Sequence, residues 1–384
     1  MKSRKGYFIL AAAVCAAFVT SCVSRPAEEK ASSPVPRLKA ALFLDDGCRG
    51  NGALAWARIL ARSPEVDLVL LNGKDIRDGK LKGRQLLVCP GGGGARQIAA
   101  MKPEGFRTVK KFVEDGGAYL GICAGSYNVM NRKGRFGFLP YDYIDNAHGG
   151  LADITAEFNG RGAKLFGIQP GRYAFRYHGG NVMRKTPPTG KGEGEVLAVF
   201  KSSVSGVGRP AYNFIDTPAV VFGSYGKGKA LAISFHPESY EATHDVALGA
   251  VYALTGVRPV PVRPWKVKQP LRVGFLSLAC VGPRAAREMI VLDRNPELDI
   301  DIFSTHELRE RGLHHYDVLV LPAGEEKSYK KLMANEFNRS RIMEFLDRGG
   351  RIVASGNGAK YLPEHQNVKR LRTGADFASA LLEK

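Results

Sequence analysis

The residues of this chain best suited to chemistry surround Cys123. Residues 121–125 read Gly-Ile-Cys-Ala-Gly and stand between an apolar, strand-like stretch and a helical pattern. This is the thiol version of the nucleophile elbow, a turn too tight for side chains at its two glycine positions. It would hold the sulfur at a helix N-terminus, where backbone N–H groups and the helix dipole favour the thiolate. The pattern predicts a nucleophilic cysteine, although a buried structural cysteine at a strand end also fits it.

A histidine and a carboxylate that could serve this thiol follow a second apolar pattern. Residues 218–238 indicate a strand, a glycine turn and a strand that runs into His236-Pro237-Glu238. A general base must reach the sulfur, and a carboxylate must orient that base. We therefore expect a ring nitrogen of His236 within hydrogen-bond reach of Cys123, with Glu238 on the far side of the ring. The sequence by itself does not show that His236 meets Cys123.

Backbone donors for a developing oxyanion are expected beside the thiol. The N–H of Ala124 directly follows the nucleophile, and the glycine run at 91–94 lets the backbone approach a carbonyl oxygen. These residue types predict acyl transfer to a thiol, with neither a metal nor a cofactor.

Four stretches together resemble the class I glutamine amidotransferase superfamily. They are residues 90–93, 121–127, 177–180 and 218–238. The resemblance is closest to the N-terminal amidotransferase-like domain of eukaryotic-type biotin–protein ligases and its bacterial lipoprotein relatives, over about residues 38–255. Nothing in the chain resembles the adenylate loop of the ligase's biotinylating domain or a synthetase domain that would receive ammonia. Neither biotin ligation nor glutamine-dependent biosynthesis is therefore expected.

The resemblance also implies roles for individual residues. These are Cys123 as nucleophile, His236 as base, Glu238 as orienting acid, Gly92 or Gly93 together with Ala124 as oxyanion donors, and the 177–180 stretch, with His178 and Gly179, as a pocket wall. A surface histidine, or one satisfied by its neighbours, is an alternative interpretation of His178.

The elements that must position these residues alternate between strand and helix patterns. Strands are predicted at 39–44, 66–71, 85–89 and 118–122, and helices at 52–61 and 106–114. Repeated short units of this kind predict an α/β fold with a flavodoxin-like parallel sheet covered by helices. The ligand site of such a sheet lies at the carboxyl ends of its strands. Residues 45–48, 90–94 and 121–125 are expected to converge there.

The C-terminal part of the chain repeats this pattern. A proline-rich linker is predicted at 259–270 between an amidotransferase-like domain at 38–258 and a second, smaller α/β domain at 271–384. Residues 351–358 align with 118–125, which places Gly356 where the first domain has Cys123. The second domain is therefore predicted to be a degenerate copy without a nucleophile, unless two parallel-sheet domains resemble each other by chance.

The N-terminus predicts the compartment. Lys2, Arg4 and Lys5 precede the uncharged apolar stretch 8–20, which is too short to span a bilayer and has the length of a signal-peptide core. The stretch ends in Val-Thr-Ser before Cys22, which resembles a bacterial lipobox and implies a signal peptide at 1–21 and lipid on Cys22. Residues 22–37 then form a flexible tether. An ordinary secretory signal with an incidental cysteine is the alternative.

The remaining cysteines are few and scattered. They are Cys48, Cys89, Cys123 and Cys280, without a C-x-x-C pair, so neither a disulfide framework nor a structural zinc site is expected. Cys48 is predicted to lie near the pocket, at the edge of the sheet where Cys123 is expected. There it could form a reversible disulfide with Cys123, or simply pack in its loop.

The formal net charge of +19 suits an anionic membrane surface or an anionic ligand, and no nucleic-acid-binding motif accompanies it. Three functions remain open: a thiol hydrolase acting on a small molecule or peptide, a ligand-binding protein without turnover, and an assembly component that meets a protein partner through its second domain.

Overall fold

The computed structural model describes residues 37–145, 147, 150–187, 192–204, 213–263, 265–310, 312–371 and 377–382. The predicted signal peptide, the predicted lipidation site Cys22 and all but the last residue of the predicted tether lie outside these residues. Within the described ranges, no helix combines the length and the apolar composition needed to cross a membrane.

A nine-stranded mixed sheet and a separate two-stranded ribbon (β5 with β8) account for the strands before residue 234. The strands are β1 Leu38–Phe43, β2 Val66–Leu71, β3 Leu86–Cys89, β4 Ala118–Ile122, β5 Tyr141–Tyr143, β6 Leu151–Phe158, β7 Gly171–His178, β8 Met183–Lys185, β9 Glu195–Phe200, β10 Pro218–Tyr225 and β11 Gly228–Ile233. The large sheet has the order β2-β1-β3-β4-β11-β10-β9-β6-β7. Its first five strands are parallel, and each later pair of neighbours is antiparallel. The predicted parallel α/β sheet is confirmed, and the antiparallel extension adds to it.

The helices of this part include both predicted ones. They are α1 Gly50–Ala61, α2 Gly73–Arg77, α3 Gly94–Glu114, α4 Ala124–Asn128, α5 Gly160–Phe166 and α6 His244–Thr255, with a 3₁₀ turn at Glu241–Thr243. Helix α3 begins twelve residues earlier than expected and is kinked at Lys102, where φ is 58°. The kink arises because Pro103 lacks a backbone N–H and disfavours a helical conformation in the residue before it.

A second sheet is built from the C-terminal part of the chain. Its elements are β12 Leu271–Ser277, α7 Pro283–Asp293, β13 Leu298–Ser304, α8 Thr305–Glu310, β14 Val318–Leu321, α9 Glu326–Ala334, α10 Glu336–Asp347, β15 Arg351–Ser355, α11 Asn357–Lys360, β16 Val368–Leu371 and α12 Phe377–Leu382. All neighbours in the order β13-β12-β14-β15-β16 are parallel. The first four repeat the arrangement β2-β1-β3-β4, as expected for a smaller fold of the same type. The domain boundaries at 258 and 271 stay predictions.

Helix α1 joins the two sheets. The carboxylate of Asp293, at the end of α7, accepts hydrogen bonds from Arg58 at 2.7 Å and Arg62 at 2.6 Å. At the other end of α1, the N–H of Gly50 donates to the carbonyl of Leu278 at 3.2 Å. The segments that follow the central strands β1 and β12 are therefore in direct contact, beside the carboxyl ends of both sheets.

Candidate active site

Cys123 occupies a strained turn between β4 and α4. Its φ is 50° and its ψ is −102°, and a non-glycine residue in so sparsely populated a region costs about 1–3 kcal/mol. Space explains the glycines beside it. A Cβ on Gly121 would lie 2.4 Å from the carbonyl oxygen of Gly125, and a Cβ on Gly125 would lie 2.1 Å from that of Cys89. The surrounding packing therefore holds the thiol in the geometry of a nucleophile elbow.

His236 and Glu238 lie beside this thiol. The ring nitrogen Nδ1 of His236 is 2.8 Å from Oε1 of Glu238, whose side chain is completely buried. Burial by itself would lower the pKa of His236, but the charge of Cys123, the charge of Glu238 and hydrogen bonds to both raise it well above the usual value. Because Nδ1 faces Glu238, Nε2 is left for the sulfur. The structure thus brings together the three residues predicted to act as nucleophile, base and orienting acid.

The carboxylate of Glu238 is held from several sides. A Cβ on Gly52, in the first turn of α1, would lie only 2.6 Å from Oε1. The carbonyl of Glu238 is 3.2 Å from Nε2 of His244, and the hydroxyl of Thr243 donates to the carbonyl of Pro237 at 2.8 Å. The second oxygen, Oε2, is buried and has no hydrogen-bond partner among the described residues. This packing orients Oε1 toward the imidazole.

Two of the three predicted oxyanion donors are available. The N–H of Ala124 is the first of α4 and has no acceptor within the helix, and no backbone acceptor is assigned to the N–H of Gly92 in the described part of the chain. Gly93 is corrected, because its N–H donates to the carbonyl of Gly47 at 2.8 Å. The sequence analysis also gave no role to Gly91, the glycine nearest the reacting groups. A Cβ on Gly91 would lie 2.6 Å from the ring of His236 and 3.4 Å from Cβ of Cys123.

His178 and Gly179 border the site through their backbones. The thiol of Cys123 donates to the carbonyl of His178 at 3.5 Å, and the hydroxyl of Tyr127 donates to that of Gly179 at 3.2 Å. The guanidinium of Arg49 lies 3.4 Å from Nε2 of His178. Partial burial, reinforced by the positive charges of Arg49 and His236, lowers the pKa of His178 to about 4, so its ring is neutral at pH 7.

Cys48 is not in the pocket. Its side chain is completely buried, and its thiol donates to the carbonyl of Phe43 at 3.4 Å. Burial raises the pKa of this thiol well above the usual value. Both Cys48 and Cys123 are free cysteines in this structure. The position at the end of β1 was foreseen, but the side chain turns toward the core, as in the alternative of simple packing.

The second sheet repeats the elbow without a nucleophile. Gly356 follows β15 with φ 53° and ψ −127°, close to the angles of Cys123. The buried carboxylate of Glu288 fills the adjoining space, accepting hydrogen bonds from the N–H of Ala323 at 3.0 Å and the hydroxyl of Ser355 at 2.9 Å. A protein carboxylate therefore occupies a backbone donor beside this second turn.

One cluster near the contact of the two sheets could hold a metal ion. Asp46, Cys280 and Glu325 each offer a ligand atom, all within 4.8 Å of one another. The thiol of Cys280 donates to Asp46 at 3.3 Å, and Arg96 pairs with the same carboxylate at 3.5 Å. The three ligands come from separate loops, so their spacing in sequence does not indicate the cluster.

Comparison with protein families bears out the predicted relationship. Residues 79–134 match the family described as biotin-protein ligase, N terminal. The matched segment contains the glycine loop and the Cys123 turn, and it ends before His236 and Glu238. A comparison with curated proteins finds no significant match.

Solved structures give more distant likenesses. PurLQS from Thermotoga maritima is 17% identical over 57% of this chain and 98% of its own, with a TM-score of 0.40. A GMP synthase component from Thermoplasma acidophilum is 17% identical over 57% of this chain and 95% of its own, at 0.37. A beta-galactosidase from Bacillus circulans is 13% identical over 60% of this chain, at 0.40, and only 33% of that enzyme is spanned. Likeness at this level says nothing about activity.

Proposed function

We propose that this chain, which is related over residues 79–134 to the N-terminal domain of biotin–protein ligases, is a thiol-dependent hydrolase of amide or peptide bonds. The observation that carries the proposal is the linked placement of three side chains. His236 is hydrogen-bonded to the buried carboxylate of Glu238 at 2.8 Å and to the thiol of Cys123. A merely structural cysteine needs neither a base nor an orienting acid.

The chemistry follows from these contacts. His236 takes the thiol proton, and the Cys123 sulfur attacks the carbonyl carbon of the substrate. Donors at Gly92 and Ala124 stabilise the oxyanion. The imidazolium gives its proton to the leaving amine as the C–N bond breaks, which leaves a thioester. Water, deprotonated by His236, then cleaves the thioester to release the carboxylic acid and restore the thiol.

We further propose that the protein acts outside the cytoplasm, anchored to a membrane by lipid on Cys22. The support is the pattern of residues 1–22, a basic start, a short apolar stretch and a lipobox-like end. A Cys22→Ser variant should lose incorporation of a labelled fatty acid and leave the membrane fraction. Persistent incorporation in that variant would contradict lipidation at Cys22.

The test of the hydrolase proposal is site-resolved labelling of the purified protein with a neutral electrophilic thiol probe, read by mass spectrometry. Cys123 should be labelled at pH 7, and His236→Ala should slow that labelling at least tenfold, since a positioned base contributes about 10²–10⁴-fold. Cys280→Ser is the matched control, because Cys280 is a buried free thiol outside this site, and it should leave Cys123 labelling unchanged. Equal labelling of Cys123 with and without His236 would refute the proposal.

A second candidate is ligand binding or assembly without turnover. It is favoured by the second sheet, where Gly356 stands in the elbow and Glu288 fills the space beside it. Trapping of a thioester on Cys123 separates the two functions: a hydrolase accumulates this species transiently from amide substrates, and a binding protein never forms it.

A further inference from the structure

Arg49 brings a positive charge to the mouth of the Cys123 site. Its backbone N–H donates to the carbonyl of Gly91 at 3.0 Å, and Gly91 lies against both Cys123 and His236. Its guanidinium lies 3.4 Å from the ring of His178, whose carbonyl accepts the Cys123 thiol at 3.5 Å. Backbone and side chain of Arg49 therefore both approach the reacting groups.

This charge is not neutralised within the protein. Among the residues described, no carboxylate forms an ion pair with Arg49, whose side chain is exposed. Acidic side chains of adjoining segments have other partners: Asp46 pairs with Arg96, and Glu307 accepts from Asn51. A guanidinium carries five N–H donors, so most of those on Arg49 remain for an incoming acceptor.

The surroundings add positive rather than negative charge. The pKa of His178 is about 4 because of partial burial and the positive charges, in decreasing order, of Arg49, His236, Arg176 and His306. The neutral ring of His178 can accept a hydrogen bond from Arg49 without taking up its charge. The site therefore presents an oriented and uncompensated cation beside the nucleophile.

We propose that Arg49 is a specificity-determining residue, which binds a carboxylate of the substrate close to the scissile amide. The proposal rests on the hydrolase function and narrows its substrates to acidic amides, such as an N-acyl amino acid or the C-terminal residue of a peptide. The planar guanidinium can hold a carboxylate through two parallel hydrogen bonds. Holding the substrate at this point would align its carbonyl carbon with the Cys123 sulfur.

The experiment compares two alkylating agents of similar size on the full chain. Iodoacetate is an anion and iodoacetamide is neutral, and each forms a thioether with Cys123 while iodide leaves. The measured quantity is the ratio of the two rates at Cys123, resolved by mass spectrometry. In the parent protein this ratio should exceed that of a small free thiol. Arg49→Gln should lower it about fivefold, the effect expected for one partly exposed charge at short range, and iodoacetamide labelling should change less than twofold.

Two further variants isolate the role of Arg49. Arg49→Lys keeps the charge and should retain part of the preference for iodoacetate. Arg96→Gln removes a nearby arginine that is already paired with Asp46, and it should leave the ratio within twofold of the parent value. An unchanged ratio in Arg49→Gln, or an equal fall in both rates, overturns the proposal. Failure of the triad itself is recognised separately, as iodoacetamide labelling that does not depend on His236.

Discussion

Gly91 shows how little room the site leaves at the scale of single residues. The imidazole of His236 and the side chain of Cys123 both lie over its Cα, where any other amino acid would carry a Cβ. The neighbouring Gly93 differs, because a Cβ there would meet only the flexible side chain of Arg96, at 3.1 Å. Two glycines of one loop therefore have different physical requirements, and this difference can be tested.

Gly91→Ala should reduce probe labelling of Cys123 at least tenfold, because its Cβ would come within 2.6 Å of the imidazole and displace it. Gly93→Ala is the matched control and should retain labelling, since the N–H of residue 93 can still bond to Gly47. Both rates are measured by site-resolved mass spectrometry, alongside thermal unfolding. The steric account is wrong if both variants lose labelling equally while remaining folded.

The raised pKa of His236 predicts a pH dependence. Since Cys123 and Glu238 together raise this pKa well above 6.5, the imidazolium persists in the folded protein at pH values where a free histidine is neutral. Its contribution to stability is fully present below pH 6.5, the unfolded value, and is lost as the pH rises through the folded pKa. Urea unfolding of the parent and of His236→Ala should therefore converge at alkaline pH. A stability difference that grows with pH would reverse the sign and contradict the imidazolium assignment.

At the scale of elements, helix α1 links the site to the rest of the molecule. Its first turn places Gly52 against the carboxylate of Glu238, and its last turn carries the arginines that bind Asp293. Arg49, directly before the helix, reaches the ring of His178. The placement of α1 therefore decides the positions of both the orienting acid and the proposed substrate-binding cation.

Gly52→Ala should lower Cys123 labelling several-fold without a comparable loss of stability. Alanine favours a helix over glycine by about 0.5–1 kcal/mol, but here its Cβ would push Oε1 of Glu238 away from His236. Gly160→Ala is the matched control, because Gly160 opens α5 and has open space around it. That variant should keep full labelling. If Gly52→Ala also labels fully, Glu238 does not position the base.

At the scale of the whole molecule, the contact between the two sheets depends on a buried carboxylate. Asp293 is nearly inaccessible and binds two arginines that are themselves about one-fifth exposed. Removing one partner from such an arrangement costs more than the pair contributes in total, since the remaining charges stay desolvated. The second sheet, although it lacks a nucleophile, thereby supports the helix that positions the site.

Asp293→Asn should destabilise the protein by about 3 kcal/mol, because Arg58 and Arg62 lose their counter-charge. Asp78→Asn is the control, since the Lys74–Asp78 pair is exposed and should contribute within about 0.5 kcal/mol. Urea unfolding gives both values. A loss in Asp293→Asn no larger than in the control would show that the two sheets associate without this carboxylate.

Local patterns were sufficient for much of the architecture. Apolar runs of four to six residues, separated by helical periodicity, predicted the parallel strands, and the Gly-Ile-Cys-Ala-Gly sequence predicted the turn that the close approach of Gly125 to Cys89 requires. Such features depend on the backbone preferences and packing of neighbouring residues. They can be inferred before the chain is folded.

The tertiary structure decided which groups face one another. The N–H of Gly93 is lost to Gly47 because the loop after β1 pairs with the glycine loop, a contact across more than forty residues. The same loop turns the thiol of Cys48 into the core and carries Arg49 to the mouth of the site. The direction of an N–H group or a side chain depends on the register of such long-range pairings, and the local sequence carries no record of that register.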